Sequence, residues 1–266
     1  MGEARLKIII LFAIALILTS FDEVDEPYGN QVEIEAPTEL TKKAVIFEFT
    51  GIHCTNCPAG HEAIEQIDSV YHGHIIPISV HAGFFAEPYP GEPDFRTPFG
   101  DKIFTDLGLS STPAASIASL NENDAISGAP TSWQGEVGSV IPDYTDFIIT
   151  PDIQLQDSTL QARYVITERV EAQNPLRFYA LIIEDHIEGP QAGSDINPYD
   201  HRHVLRKCIN DISGTSVSFT DGVDELSFTA ILDATWQTEN LYVVGIIVDQ
   251  NTKEIYTGEQ VKLITE

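Results

Sequence analysis

The feature that most constrains the fold is a pair of cysteines, Cys54 and Cys57, separated by two residues. The run 44–49 before the pair is short, apolar and rich in β-forming residues, which is typical of a buried strand. The segment after the pair carries apolar residues at helical spacing and acidic residues on another face: Ala59, Ala63, Ile64, Ile67 and Val70 against Glu62, Glu65 and Asp68. The sequence therefore predicts a strand, a thiol pair and a helix in direct succession.

Two thiols at this spacing can close into a small disulfide ring, and the exposed N–H groups and dipole of a helix N-terminus favour a thiolate. We predict that Cys54, expected to be the cysteine nearer the helix N-terminus, is the attacking thiolate and that Cys57 resolves the mixed disulfide. The alternative interpretation is a structural disulfide that never turns over. A strand, a CxxC pair and a helix in this order favour a thioredoxin-like domain.

Two further residues are assigned by similarity to thioredoxin. Glu48 lies six residues before Cys54, where thioredoxin has a buried acid beneath its second cysteine. This resemblance implies that Glu48 accepts the proton of Cys57, although a strand glutamate that faces solvent is an equally simple interpretation. Pro113, in the pair Thr112-Pro113, resembles the cis-proline that faces the thiols in thioredoxin-fold proteins and is therefore a candidate site residue.

The motif also departs from thioredoxin, with His53 in place of tryptophan and Thr55-Asn56 in place of Gly-Pro. These positions tune redox potential and docking in thioredoxin. A protonated His53 would favour a neighbouring thiolate, and the alternative interpretation is a solvated loop residue. A metal site was the alternative for this region, because Cys57 and His61 share a helix face at i, i+4. Since neither a second CxxC nor a compact His pair completes the ligand set, the sequence predicts neither a metal nor a cofactor.

Charge and cysteine content limit the partners of the chain. The 266 residues carry a formal net charge of −27, which argues against nucleic acid or anionic membranes as partners because both would repel such a surface. The chain contains only three cysteines, so a disulfide framework does not hold it together. The third, Cys208, is interpreted as a small buried side chain.

The N-terminal segment predicts export. Arg5 and Lys7 precede the uncharged apolar run 8–18, which is too short to span a membrane but suits a signal peptide covering 1–21. A bacterial lipoprotein would need a cysteine at Phe21, so we expect no lipid anchor. The next residues, 22–40, are acidic and irregular and are interpreted as a spacer.

The rest of the sequence divides into two patterns. Residues 41–149 alternate strand-like and helix-like segments, which predicts an α/β domain with a sheet covered by helices. Residues 150–266 show period-two alternation in about eight short segments separated by turns, which predicts an antiparallel, immunoglobulin-like β-sandwich. All the candidate redox residues precede residue 150, so we expect the site to be complete within the first domain.

Several local motifs together resemble one family, the twenty-eight-kilodalton outer membrane proteins of Gram-negative bacteria. They are the segments 47–51 and 53–61, Val80-His81-Ala82-Gly83, Thr112-Pro113 and His203-Val204-Leu205-Arg206. The resemblance implies a thioredoxin-like domain, a following immunoglobulin-like domain and export to the cell envelope, in the periplasm, at the outer membrane or on the surface.

Two functions fit these observations. In the first, the chain is an exported thiol-disulfide oxidoreductase that acts on protein thiols or disulfides. In the second, it is a non-enzymatic envelope binding or adhesion protein whose disulfide braces a loop and whose β domain contacts an envelope or surface protein. Because structural disulfides typically have reduction potentials below about −300 mV, the potential of the cysteine pair separates the two. The sequence does not predict the substrate, the direction of electron flow or the oligomeric state.

Overall fold

The computed structural model of the protein describes residues 42–128 and 130–264. The predicted signal peptide, 1–21, and the predicted spacer, 22–40, lie outside these residues. Among the helices that are described, none is long and apolar enough to cross a membrane.

The first part of the chain alternates strands and helices, which confirms the mixed α/β prediction. Its strands are β1 (Ala44–Thr50), β2 (Ile75–His81), β3 (Ala114–Ile117) and β4 (Ile126–Ser127). Its helices are α1 (Pro58–Tyr71), α2 (Pro98–Asp106) and α3 (Trp133–Val140).

The second part is built from strands. They are β5 (Phe147–Gln156), β6 (Thr159–Glu168), β7 (Leu176–Glu184), β8 (Ile187–Gly189), β9 (Tyr199–His201), β10 (Val204–Cys208), β11 (Thr215–Val217), β12 (Val223–Ile231), β13 (Leu241–Asp249) and β14 (Ile255–Lys262). The alternation of buried and exposed residues is clearest along β5 and β12, as expected for strands that are covered on one face.

The main sheet contains strands from both parts of the chain. Its order is β14-β13-β7-β10-β2-β1-β3-β4, with β11 also paired to β7. The sheet is mixed, because β2 runs parallel to β1 and to β10 while β7 runs antiparallel to β10 and β13. The remaining strands form a three-stranded antiparallel sheet, β12-β6-β5, and a two-stranded sheet, β8-β9. The predicted boundary at residue 150 falls inside β5, and strands from both sides of it share the main sheet. Independent domains on either side of it remain a prediction.

The central strands of the main sheet are buried on both faces. Every residue of β1 is buried, which explains why its sequence is an apolar run instead of an alternating one. One face of β7 and β13 packs against β5 and β6 in a sandwich, and the other face belongs to the core that contains β1, β2 and α2. The opposite face of β1 packs against α1 and α3.

The strands β8 and β9 form a hairpin that the sequence analysis did not predict. This segment, 187–201, is called the capping hairpin below. It leaves β7 near residue 184 and returns to the main sheet as β10. Its loop contacts the turn that carries the cysteine pair, so a segment of the second part of the chain lies over the candidate site.

Candidate functional site

The cysteine pair lies in the turn that joins β1 to α1. Cys57 is the N-cap residue of α1, and Pro58 is its first residue. Cys54 and Cys57 form a disulfide with a Cα–Cα distance of 5.4 Å. The Cys54 N–H donates to the Gly51 carbonyl at 2.9 Å, which closes the turn ahead of the helix. Cys57, and not Cys54 as the sequence predicted, is therefore the cysteine nearer to the helix N-terminus. Cys54 precedes the helix by one turn of loop because the helix begins only at Pro58, and its role as the attacking thiolate remains a prediction.

The capping hairpin covers the disulfide. Cys54 is only 2% exposed and Cys57 is fully buried, although the two residues between them are exposed. The Gln191 side-chain amide donates to the Cys54 carbonyl at 3.0 Å and to the Gly51 carbonyl at 3.3 Å. The Gln191 side chain therefore binds the hairpin to backbone carbonyls of the cysteine loop.

The backbones of the hairpin and the cysteine loop also touch directly. The Ala192 N–H donates to the Ile52 carbonyl at 2.8 Å. Gly193 has φ +81°, and a Cβ at that position would lie 2.0 Å from the Thr55 carbonyl oxygen. Glycine is required here both by the backbone conformation and by the close approach.

Glu48 is buried beneath the helix that follows the cysteines. Its side chain is 1% exposed, and its Oε2 accepts a hydrogen bond from the Ser79 hydroxyl at 2.9 Å. Burial raises the pKa of Glu48 to about 7, because removal from water disfavours the charged form. Glu48 thus faces the interior in this structure and not the solvent.

Gly60 provides the space that Glu48 occupies. A Cβ at Gly60 would lie 2.7 Å from Glu48 Oε1, 3.3 Å from the Trp133 ring and 3.5 Å from Pro113. The carboxyl group therefore lies against α1 one turn beyond Cys57. Pro113 is buried in the same place, and the Thr112-Pro113 peptide is cis, as the resemblance to thioredoxin implied.

His61 joins the buried carboxyl to the capping hairpin. Its Nε2 lies 3.0 Å from Thr50 Oγ1 and 3.4 Å from Glu48 Oε1. Its Nδ1 lies 2.7 Å from the Tyr199 hydroxyl. Burial lowers the pKa of His61 to about 4, so the ring is neutral at physiological pH. Since Cys57 is in the disulfide, the two groups considered above as metal ligands have other partners in this structure.

His53 contacts the loop between β2 and α2. Its ring lies 4.1 Å from the Tyr89 ring, and its Nε2 lies 2.9 Å from Glu92 Oε2. The neighbouring Phe84 is 82% exposed and Tyr89 is 65% exposed. An exposed aromatic surface therefore borders the cysteine loop on the side of His53.

The sequence analysis missed the contributions of Gln191, Tyr199 and His201. Gln191 is 137 positions from Cys54, and Tyr199 is 138 positions from His61, so no local motif joins them. In the structure His201 is 2% exposed, and its Nε2 lies 3.2 Å from the Pro190 carbonyl.

A family model described as "Outer membrane protein Omp28" matches residues 104–265. The chain belongs to the Omp28 family. Membership confirms the resemblance stated above and indicates a location in the cell envelope. The matched range includes the capping hairpin but begins after the cysteine pair, so membership by itself does not establish redox activity.

Three solved structures are similar to parts of this chain to different degrees. HBP35 of Porphyromonas gingivalis is 20% identical, with a TM-score of 0.70 over 84% of this chain and 76% of that one. Protein AGR_C_4864 from Agrobacterium tumefaciens is 14% identical, with a TM-score of 0.54 over 86% of this chain and 98% of that one. A domain of the outer membrane lipoprotein Omp28 from Porphyromonas gingivalis is 18% identical, with a TM-score of 0.35 over 45% and 88%. No curated protein sequence matches this chain.

Proposed function

We propose that the chain is an exported thiol-disulfide oxidoreductase of the cell envelope, located in the periplasm or at the outer membrane. In this proposal residues 41–149 form a thioredoxin-like unit and residues 150–266 an immunoglobulin-like one. The observation that carries the proposal is the Cys54–Cys57 disulfide at a strand-helix junction, with the buried Glu48 beneath the same helix.

The chemistry follows from these groups. In the reduced protein the Cys54 thiolate attacks a disulfide of a partner protein, forms a mixed disulfide and releases one partner thiolate. Cys57 then attacks Cys54 Sγ, which releases the second partner thiolate and forms the intramolecular disulfide. The proton of Cys57 passes to Glu48, whose pKa of about 7 suits both the acceptance and the return of a proton near neutral pH. Two electrons pass to the partner, and the reverse sequence oxidises a partner dithiol.

Pro113 supports this role by its position. It packs beside Gly60 on the first turns of α1, and its peptide is cis. In the proposal it shapes the groove in which the partner polypeptide lies against the cysteines. The capping hairpin must move for a partner to reach Cys54, since that residue is only 2% exposed.

The test is reduction of insulin disulfides by dithiothreitol in the presence of the mature protein. We expect acceleration by the natural protein, none by Cys54→Ser, and full activity in Cys208→Ser, which removes only the cysteine outside the pair. No acceleration by the natural protein, or equal acceleration by Cys54→Ser, would exclude the oxidoreductase function.

A second function is favoured by the burial of the disulfide. A pair covered by a hairpin, beside the exposed Phe84 and Tyr89, also suits a binding or adhesion protein in which the disulfide braces the loop. The reduction potential of the cysteine pair, measured by equilibration with glutathione or dithiothreitol buffers, decides between the two functions. A potential below about −300 mV supports the structural role, and a higher one supports exchange with partners.

A further inference from the structure

A row of polar side chains leads from the buried carboxyl of Glu48 to the capping hairpin. Glu48 Oε1 is buried without a hydrogen-bond partner among the described residues, and His61 Nε2 lies 3.4 Å from it while it hydrogen-bonds with Thr50 Oγ1 at 3.0 Å. The Nδ1 of the same ring lies 2.7 Å from the Tyr199 hydroxyl. Tyr199 lies on β9 of the capping hairpin and is partly exposed. The imidazole therefore lies between a buried acid and the hydroxyl of a partly exposed tyrosine.

His61 and Tyr199 can pass a proton to Glu48 while both are neutral at rest. A neutral imidazole can accept a proton at one nitrogen while it releases one from the other. Burial keeps His61 neutral by lowering its pKa to about 4, and burial together with neighbouring carboxylates raises the pKa of Tyr199 to about 12. Both residues are therefore in the protonation state that such a transfer requires.

We propose that His61 and Tyr199 are positioning residues that carry protons between the solvent and Glu48. The inference rests on the proposed function in one respect, namely that Glu48 exchanges a proton with Cys57. It adds that the proton route of the redox site is completed by the capping hairpin, on the far side of residue 150.

The transfer is balanced when the disulfide is reduced by an external thiolate. The thiolate attacks Cys54 Sγ, the S–S bond breaks, and Cys57 leaves as a thiolate that takes a proton from Glu48. The Nε2 proton of His61 then passes to Glu48, the Tyr199 proton passes to Nδ1, and Tyr199 recovers a proton from solvent. On oxidation each transfer is reversed.

Other groups surround this route and set its electrostatic environment. A small cavity of about 20 Å³ lies along the route, and its lining includes Glu48, His61, Ser79, Tyr199, Arg202 and His203. Seven further titratable or charged side chains face the route from α1, β2, β9 and the two residues between β9 and β10: Glu62, Glu65, His81, Asp200, His201, Arg202 and His203. The variants compared below retain these seven groups, so each variant is compared with the natural protein at the same pH.

The experiment is a single-turnover reduction of the Cys54–Cys57 disulfide by dithiothreitol, followed by alkylation and mass spectrometry at pH 6 and pH 8. At pH 6 most of Glu48 already carries the proton that Cys57 needs, so Tyr199→Phe should match the natural protein. At pH 8 Glu48 must be reloaded during the reaction, and we expect Tyr199→Phe to be about tenfold slower. His61→Gln, which keeps hydrogen-bonding groups but has no second tautomer, should behave in the same way.

Tyr256→Phe is the matched control, because its hydroxyl donates to Asp249 at 3.1 Å in the β-sandwich and its loss should leave both rates unchanged. The decisive quantity is the reduction rate of Tyr199→Phe divided by that of the natural protein. If this ratio is the same at pH 6 and pH 8, whether above or below one, Tyr199 only holds the hairpin in place and the inference is overturned. Dithiothreitol reduces the disulfide whether or not insulin is a substrate. Failure of the insulin assay, which tests the proposed function, is therefore distinguishable from failure of this single-turnover assay. If Glu48→Gln is as fast as the natural protein at both pH values, the proposed role of Glu48 fails and the route fails with it.

Discussion

At the scale of single residues, the site depends on the absence of a Cβ at Gly60. A Cβ there would lie 2.7 Å from Glu48 Oε1, in a region closed on the other sides by Trp133 and Pro113. We expect Gly60→Ala to lower the free energy of unfolding by about 1–2 kcal/mol, because overpacking outweighs the better helix propensity of alanine. Denaturant titration measures the change.

Gly135 offers a control for the same substitution. It lies in α3, and apart from its chain neighbours and its own helix no atom of the described residues lies within 4 Å of the added Cβ. Gly135→Ala should therefore stabilise the protein by up to about 1 kcal/mol. If both alanines had the same effect, the packing of Glu48 against α1 would not be as tight as this structure shows.

The raised pKa of Glu48 predicts how stability depends on pH. Below pH 4.5 the folded and unfolded chains both bind the proton, but between pH 4.5 and about 7 only the folded chain retains it. The free energy of unfolding of the natural protein therefore carries a contribution that falls with rising pH across this window. The free energy of unfolding of Glu48→Gln, minus that of the natural protein, should therefore rise by about 3 kcal/mol between pH 4.5 and pH 8.

Urea titrations of both proteins across this range give the difference curve, in which the other titrating groups largely cancel. Ser79→Ala provides a matched test of the cause, since the Ser79 hydrogen bond lowers the pKa of Glu48. Its loss should extend the falling limb to higher pH. A flat difference curve would mean that Glu48 ionises normally in the folded protein.

At the scale of elements, the capping hairpin controls access to the disulfide. Gly193→Ala places a Cβ 2.0 Å from the Thr55 carbonyl, so the hairpin can no longer lie against the cysteine loop. We expect the disulfide of this variant to be reduced faster by dithiothreitol under native conditions, because Cys54 becomes exposed. Alkylation and mass spectrometry at successive times give the rate.

The strain of alanine at positive φ must be separated from the contact with Thr55. Gly73 has φ +77°, close to the +81° of Gly193, but no atom of the described residues lies within 4 Å of its added Cβ. Gly73→Ala should therefore leave the reduction rate unchanged. Equal rates in the two alanine variants would show that the hairpin does not limit access.

The elements differ in how well the sequence predicts them. Period-two alternation located β6 and β12, because each has one face in the core and one toward solvent. The capping hairpin was missed because β8 and β9 have only three residues each and the loop between them contains Pro190, Gly193 and Pro198. Its position depends on hydrogen bonds to a loop more than 130 positions away, which local patterns do not encode.

At the scale of the whole molecule, local patterns identified the class of each half but not their connection. The apolar run of β1 indicates a strand that is buried on both faces. No local pattern indicates that β2, which pairs with β1 on one edge, pairs with β10 on the other. The same limit applies to the candidate site. The cysteines are recognisable from their spacing and Glu48 from its similarity to thioredoxin, because all three lie close in sequence. Tyr199 comes from the other half of the fold, so no local pattern indicates it.

The shared sheet leads to a prediction about a protein that ends at residue 150. Such a chain retains β1, β2 and α2 but loses the apolar side chains that cover them from β7, β10, β13 and β14: Leu181, Ile183, Leu205, Val244, Ile246, Val248 and Ile255. The sequence pattern alone favours an independent first domain. The packing instead predicts that residues 37–150 are unstable alone, because their core is left open to water.

Expression of residues 37–150 and of 37–266 compares the two expectations, with thermal unfolding and dye binding to exposed apolar surface as measurements. We expect cooperative unfolding only in the longer chain. Residues 151–266 added in trans should restore it if the lost side chains are the cause. Cooperative unfolding of residues 37–150 alone would instead show that the thioredoxin-like unit is self-sufficient and that the second half only docks onto it.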